Sequence, residues 1–295
     1  MTQQPVYFRP PSEASSLLIP VMRGCPHNRC TFCNIFKNVH FQLIPLEEIL
    51  KMLDADAVEH APVIEQVKGI YLEGGDPMAL NPETLEAVMK HAHMRFPHLE
   101  HIACYATARS VIRRTPEQLK SLADAGLRRV YIGLESGLDD ILKATRKGCT
   151  SADLAEAGRL LSVANIENDV SIMLGIGGKE LSRQHALATA ELFNLIEPAC
   201  VRICTFVPKL GTHLGDDFLR GHFTLMGPHD ILHELRLLVE ATTGNTRFLS
   251  SHWTNFIRFD VEMPRGKNIL LELLDAALEM DESQFRPLGI NDVRD

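Results

Sequence analysis

The chain has 295 residues, with 30 basic against 38 acidic side chains for a formal charge of −8. Apolar residues make up 45% and charged residues 23%, which excludes a disordered chain, a collagen-like fibre and a membrane bundle. No apolar stretch approaches the ~18 residues of a spanning helix. The opening MTQQPVYFRP has no basic region followed by an apolar core, so neither a membrane partner nor a secretion signal is expected. The acidic balance argues against a nucleic-acid partner, because sequence-blind binding rests on neutralising phosphates.

In chain order, apolar and β-branched runs at 17–22, 69–73, 101–107, 129–135, 170–175 and 201–207 predict six strands. Helices are predicted between them. Leu46, Ile49, Leu50 and Leu53 recur at helical spacing, as do Leu85, Val88 and Met89. Thr115-Pro116-Glu117 opens a third helix with Pro in its first turn, and 154–163 and 187–196 supply two more. Strands alternating with helices mean a parallel sheet with right-handed crossovers. The expectation is an α/β fold, a partial (βα)6 TIM-like barrel over residues 1–215. After Pro208 the rhythm changes. Residues 211–230 are rich in Gly and His, a helix follows at 231–242, SSHWTNFIRFDVEMPRG reads as irregular, and 268–280 is a last helix. Residues 216–295 read as an α-rich C-terminal extension packed on the barrel.

Polar and glycine-rich pieces follow the strands one after another. They are RGCPHNRCTFCNIFK, Glu73-Gly74-Gly75-Asp76-Pro77, Tyr105-Ala106-Thr107, Gly133-Leu134-Glu135-Ser136-Gly137, Gly175-Ile176-Gly177-Gly178 and Pro208-Lys209-Leu210-Gly211. In a parallel α/β barrel these strand ends share one rim, where active sites are found.

The seven cysteines are too sparse for a disulfide scaffold and odd in number, so a reducing cytoplasm is expected. Cys25, Cys30 and Cys33 stand together as C-x4-C-x2-C on the first rim loop. Thiolates are the usual ligands of iron–sulfur clusters. A structural zinc site wants four ligands, which His27 would complete as Cys3His. Cys200 and Cys204 lie about 13 Å apart along a strand, too far for one cluster. Cys104 and Cys149 are isolated, so no auxiliary cluster is expected. His229 and His233, at i, i+4, read as a surface helix face. Trp253, with His252 and Asn255, reads as either a lining of the substrate side or a packing anchor, and His185 as a helix cap or a rim residue.

Over about residues 15–212 the chain resembles the radical SAM superfamily. Cys30-Thr31-Phe32-Cys33 matches the second half of the family's C-x3-C-x2-C motif, with Phe32 as the aromatic before the last cysteine; the first gap is one residue longer here. Gly74-Gly75-Asp76 is similar to the family's Gly-Gly-Glu element, with Asp in place of Glu. Gly133 to Gly137 with Lys147-Gly148, and Ser171-Ile172-Met173-Leu174-Gly175, resemble further family stretches. The resemblance implies a 4Fe–4S cluster on Cys25, Cys30 and Cys33 and S-adenosylmethionine bound beside it. The Gly74, Gly75 and Asp76 backbone would meet the methionine amine and Glu135 the ribose. Lys147, with Arg146 as rival, would meet the carboxylate. Thr107, Ser171 and Leu174 complete the cofactor set, the last two on the adenine side. It further implies reductive cleavage to a 5′-deoxyadenosyl radical, oxygen sensitivity, and a one-electron donor such as flavodoxin or ferredoxin. A small-molecule substrate is expected. Two alternatives stand beside this reading: a haem-binding chaperone of the same family, and a zinc-binding structural protein. Glu135 has a further reading as a strand-end partner of Arg129 or Lys147, and Asp76 as a turn residue before Pro77.

Overall fold

The computed structural model describes residues 8–290; residues 1–7, which open the segment read above for a secretion signal, and 291–295 lie outside them. The expected alternation is present. In chain order the elements are β1 (Leu17–Pro20), β2 (Met22–Arg23), β3 (Gln42–Leu43), α1 (Leu46–Glu59), β4 (Gly69–Glu73), α2 (Pro82–Arg95), β5 (His101–Ala106), α3 (Ala108–Ile112), α4 (Pro116–Asp124) and β6 (Leu127–Glu135). Then follow α5 (Asp139–Ala144), α6 (Ser151–Val163), β7 (Glu167–Leu174), α7 (Gly178–Ile196), β8 (Cys200–Thr205), α8 (His213–Leu219), α9 (Pro228–Ala241), β9 (Thr246–Ser250), β10 (Phe259–Met263) and α10 (Lys267–Leu278).

Local chemistry explains where the helices begin. Asn81 caps α2 by accepting the Thr84 N–H at 2.8 Å, with Pro82 just inside. Thr115 with Gln118, and Thr150 with Asp153, form reciprocal capping boxes on α4 and α6. Each helix then buries one stripe; α1 sets Ile49, Leu53 and Ala57 inward at four-residue spacing. Among the described residues no helix is long and apolar enough to cross a membrane.

One sheet organises the molecule, in the order β1-β4-β5-β6-β7-β8-β9-β10. The six strands expected from the sequence are adjacent, in chain order and parallel. The C-terminal residues do more than pack against it. β9 continues the sheet in parallel beside β8, and β10 returns antiparallel to β9. The stretch read as irregular therefore contains an edge strand. Its residues are alternately half-buried and exposed, so it lacks the continuous apolar run that marks the inner strands. β1 and β10 are the two edges of this sheet, and the described residues form no closed barrel.

The two faces differ. Ile70, Leu72, Ile102, Cys104, Val130, Ile132, Val170 and Ile172 point at the helices and form the main core with them. The alternate residues Tyr71, Ala103 and Tyr131, with Tyr105 beside them, form a separate cluster on the opposite face. The three tyrosine rings are 5.8–6.1 Å apart. At the starting ends of β5 and β6, fully buried Glu13 closes this face. It accepts bonds from Ser16 Oγ at 2.6 Å and Tyr131 Oη at 2.7 Å, with His101 Nε2 at 3.1 Å. Burial pushes its carboxyl up, but the His101, Ser16 and Tyr131 bonds together outweigh it and hold the pKa at about 2.

A depressed folded-state pKa stabilises above the unfolded value and is lost as pH falls through the folded one. Glu13 is thus expected to contribute about 2–3 kcal/mol at neutral pH, vanishing between about pH 5 and pH 2. Urea unfolding at several pH values checks this: Glu13→Gln should be less stable at pH 7 and converge with the parent near pH 2.

Candidate functional site

The cysteine loop is an insertion between β2 and β3, clamped at its base by the antiparallel pairs Met22–Leu43 and Arg23–Gln42. It meets the end of β4 at very short range. Gly75 N–H donates to Gly24 O at 3.0 Å. A Cβ on Gly75 would sit 2.4 Å from Cys25 Cβ, and one on Gly74 would sit 2.1 Å from Met22 Cγ. Gly74 also has φ +144°, which side chains rarely adopt. Both glycines are required for the loop to lie where it does.

The far side of the loop rests on the turn after α5. His27 Nε2 lies 2.7 Å from Arg146 O, and Thr31 N–H donates to Thr145 O at 2.9 Å. Leu214 N–H in turn donates to Thr31 O at 3.0 Å. Within the loop, Asn28 N–H reaches Cys25 Sγ at 3.5 Å, and Asn28 Nδ2 donates to Phe36 O at 2.8 Å. Phe32 packs with Ile141, Ile176 and Phe206. Sequence reasoning missed these docking contacts because they run through backbone carbonyls, which no residue type announces.

Cys25, Cys30 and Cys33 are all free and half-buried. Burial pushes the Cys30 thiol up to about 11 and raises Cys33 as well; nearby Lys147 pulls both the other way, and the neighbouring thiols push each further up. Burial thus disfavours the thiolate at Cys30 and Cys33, and a cationic iron centre would bind both in that form. Among the described residues no three His, Cys, Asp or Glu side chains gather on a point that one metal ion would occupy. His27, the fourth ligand of the zinc alternative, is turned to Arg146 O.

Beside the thiols lies a buried ion pair. Lys147 Nζ donates to Glu135 Oε1 at 2.9 Å and stands 5.9 Å from the Phe32 ring centroid. Burial works against the Lys147 charge, but adjacent Glu135 outweighs it and raises its pKa. Glu135 ends β6 in a register shift, with φ +64°. Its Oε2 is buried and has no hydrogen-bond partner. A Cβ on Gly133 would sit 2.3 Å from Glu135 Oε1, so that glycine makes room for the pair. Of the two partners considered for Glu135, Lys147 is the one that meets it. Arg129 instead pairs with Glu167 at 2.5 Å, and Arg146 is exposed.

Asp76 is buried and its carboxylate is committed. It accepts from Thr107 Oγ1 at 2.8 Å, from Ser110 Oγ at 2.7 Å and from Thr107 N–H at 3.3 Å. Burial raises its pKa against these bonds. Asp76 and Thr107 thus tie the end of β4 to the start of α3, and Gly74 and Gly75 reach the rim through their backbone. Ser171 is half-exposed on β7, paired with Gly133 on β6. Leu174 turns its side chain into the helical core, and its carbonyl accepts Phe206 N–H at 2.9 Å. Trp253 lines a cavity of about 470 Å³ with Val207 and residues 286–290. Asn255 Nδ2 is spent on Ile203 O and Ser250 Oγ. His229 Nε2 lies 2.9 Å from Met280 O, and His233 is exposed.

A model of the Radical SAM superfamily matches residues 19–193, more than half of the chain. The chain belongs to the radical SAM superfamily. It is 26% identical over 172 residues to the heme chaperone HemW of Bacillus subtilis, a match covering 56% of this chain and 44% of that protein. The chain thus spans less than half of that relative's length. Its fold is shared with the radical S-adenosylmethionine methyltransferase TsrM of Kitasatospora setae. The TM-score is 0.56 at 17% identity, over 70% of this chain and 39% of that one. It is also shared with coproporphyrinogen III oxidase HemN of Escherichia coli, at TM-score 0.52 and 15% identity, over 76% and 51% of the two chains.

Breaking one side of a buried pair strands the other charge, at about 3–5 kcal/mol. Lys147→Met is expected to lose stability on that scale, and adding Glu135→Gln should restore most of it. Denaturant titration of both variants measures the difference; equal losses would mean the pair is not coupled.

Proposed function

We propose that Cys25, Cys30 and Cys33 hold a 4Fe–4S cluster, that S-adenosylmethionine binds on the rim beside it, and that the chain is a radical enzyme. The observation that carries the reading is the thiol loop held against Gly74-Gly75 by an approach too close for any side chain. When bound, the two groups supply reductive carbon–sulfur cleavage and hydrogen abstraction from a substrate. The protein supplies binding and orientation. The backbone of Gly74, Gly75 and Asp76 accepts the amine, with Asp76 and Thr107 keeping that turn rigid. Lys147 faces the carboxylate. Glu135 Oε2, buried and unbonded, is an acceptor for ribose hydroxyls; leaving it unpaired costs about 1–3 kcal/mol, which a ligand would relieve. Ser171 and Leu174 set the strand on the adenine side, and Phe32 packs beneath the loop. The substrate is a small molecule, the electron donor a flavodoxin or ferredoxin, and the compartment the cytoplasm.

A second reading has one observation in its favour. The match to HemW makes a radical-SAM-like haem chaperone the alternative. Anaerobic reconstitution separates the two. The enzyme reading expects about four irons and four sulfides per chain, lost in Cys30→Ala, and 5′-deoxyadenosine on adding dithionite with S-adenosylmethionine. Tight haem binding with a full cluster and no 5′-deoxyadenosine would favour the chaperone. Zinc near one per chain, with no iron taken up, would defeat both.

A further inference from the structure

A second buried polar cluster joins residues of the family-matched region to Glu234, which lies beyond it. Glu234, on α9, is 2% exposed, and its Oε1 accepts the Gly175 N–H at 2.7 Å. His185, on α7, is 1% exposed and has Nδ1 3.7 Å from Oε1. Neither His185 nitrogen is hydrogen-bonded, and Glu234 Oε2 has no partner either. Burial pushes the Glu234 carboxyl up to about 7 and the His185 imidazole down to about 4. Lys179 on α7 and Asp230 on α9 pair with each other at 2.6 Å toward solvent.

An apolar side chain at 234 would carry no such cost, since Ile231, Leu232, Leu235 and Leu238 around it are already buried. What an apolar residue cannot provide is an acceptor for a backbone N–H. Gly175 needs one. It turns out of β7 with φ +77°, and a Cβ there would sit 2.5 Å from Ile231 Cδ1, so α9 is packed directly on the turn. The next residue, Ile176, belongs to the same buried apolar cluster as Phe32 of the cysteine loop. Glu234 thus holds a turn whose following residue shares a cluster with the thiol loop. Buried polar groups left partly unsatisfied mark sites where something other than stability is served.

We propose that Glu234 is a positioning residue of the cofactor site: by accepting the Gly175 N–H it fixes the turn at the end of the adenine-side strand. The C-terminal extension thereby completes a site whose other residues lie in the family-matched region. The inference rests on the reading that S-adenosylmethionine binds at this rim.

Glu234→Met tests it, because Met fills the space and removes the acceptor; Glu234→Gln keeps an acceptor oxygen. Leu238→Ala on the same helix is the control for stability lost without touching the turn. Two readouts are compared: hydrogen exchange of a peptide spanning 172–181 in the unloaded protein, and S-adenosylmethionine affinity by equilibrium dialysis on anaerobically reconstituted protein. Expected for Glu234→Met are faster exchange at 172–181 and affinity weakened about tenfold or more, with iron and sulfide content unchanged. Glu234→Gln should stay within about twofold of the parent, since its amide carbonyl accepts the same bond. Leu238→Ala should lower Tm and leave affinity alone. Parent-like exchange and affinity in Glu234→Met would overturn the proposal, as would equal weakening by Leu238→Ala. A parent protein with a full cluster and no affinity for S-adenosylmethionine would overturn the cofactor reading itself, and this inference with it.

Discussion

The arrangement of this site depends on one steric fact: the end of β4 approaches the cysteine loop where a Cβ on either of two glycines would not fit. Gly75 lies against Cys25, and Gly74 against Met22. The cysteine loop has little regular structure of its own; β2 and β3 are two-residue strands. Its position is set by what it rests on, namely the end of β4 on one side and the turn at 145–148 on the other. Chains of packed contacts of this kind are how a loop acquires the rigidity that holding a reactive group requires.

Around that contact the electrostatics are arranged in opposition. Burial disfavours the thiolates of Cys30 and Cys33, and Lys147 favours them. Lys147 in turn stays charged against its own burial because Glu135 stands beside it. Glu135 reaches this spot only by leaving the regular strand, with a left-handed backbone and a register shift. A left-handed residue at the end of a strand, holding a buried charge with one oxygen unbonded, is held there by the structure around it.

Much of this was legible beforehand because periodicity and residue type carry it. The six strands read from the sequence are nearly continuous apolar runs, and the helix starts carry their caps in the sequence: Asn81 before Pro82, Thr115 before Pro116. The thiol spacing and Gly74-Gly75 were visible for the same reason, since few residue types satisfy those demands. β10 was not legible, because a half-exposed edge strand alternates and sits among Ser, Asn and Pro. Glu234 did leave a trace, as the one acidic residue on the apolar stripe of α9. Its meaning was hidden because the N–H it serves is 59 positions away.

The sequence by itself determined the alternation of strands and helices, the three clustered thiols and the glycines that admit them, because each is a local property of residue size, period or donor type. Only the tertiary structure decided that Glu135 pairs with Lys147 rather than Arg129, that Asp76 spends its carboxylate on Thr107 and Ser110, and that the C-terminal helix reaches the turn after β7. Those outcomes, the last of them made by α9 and not by the final helix α10, are set by which backbone segments meet across the sheet and its covering helices. A linear pattern does not encode such distances.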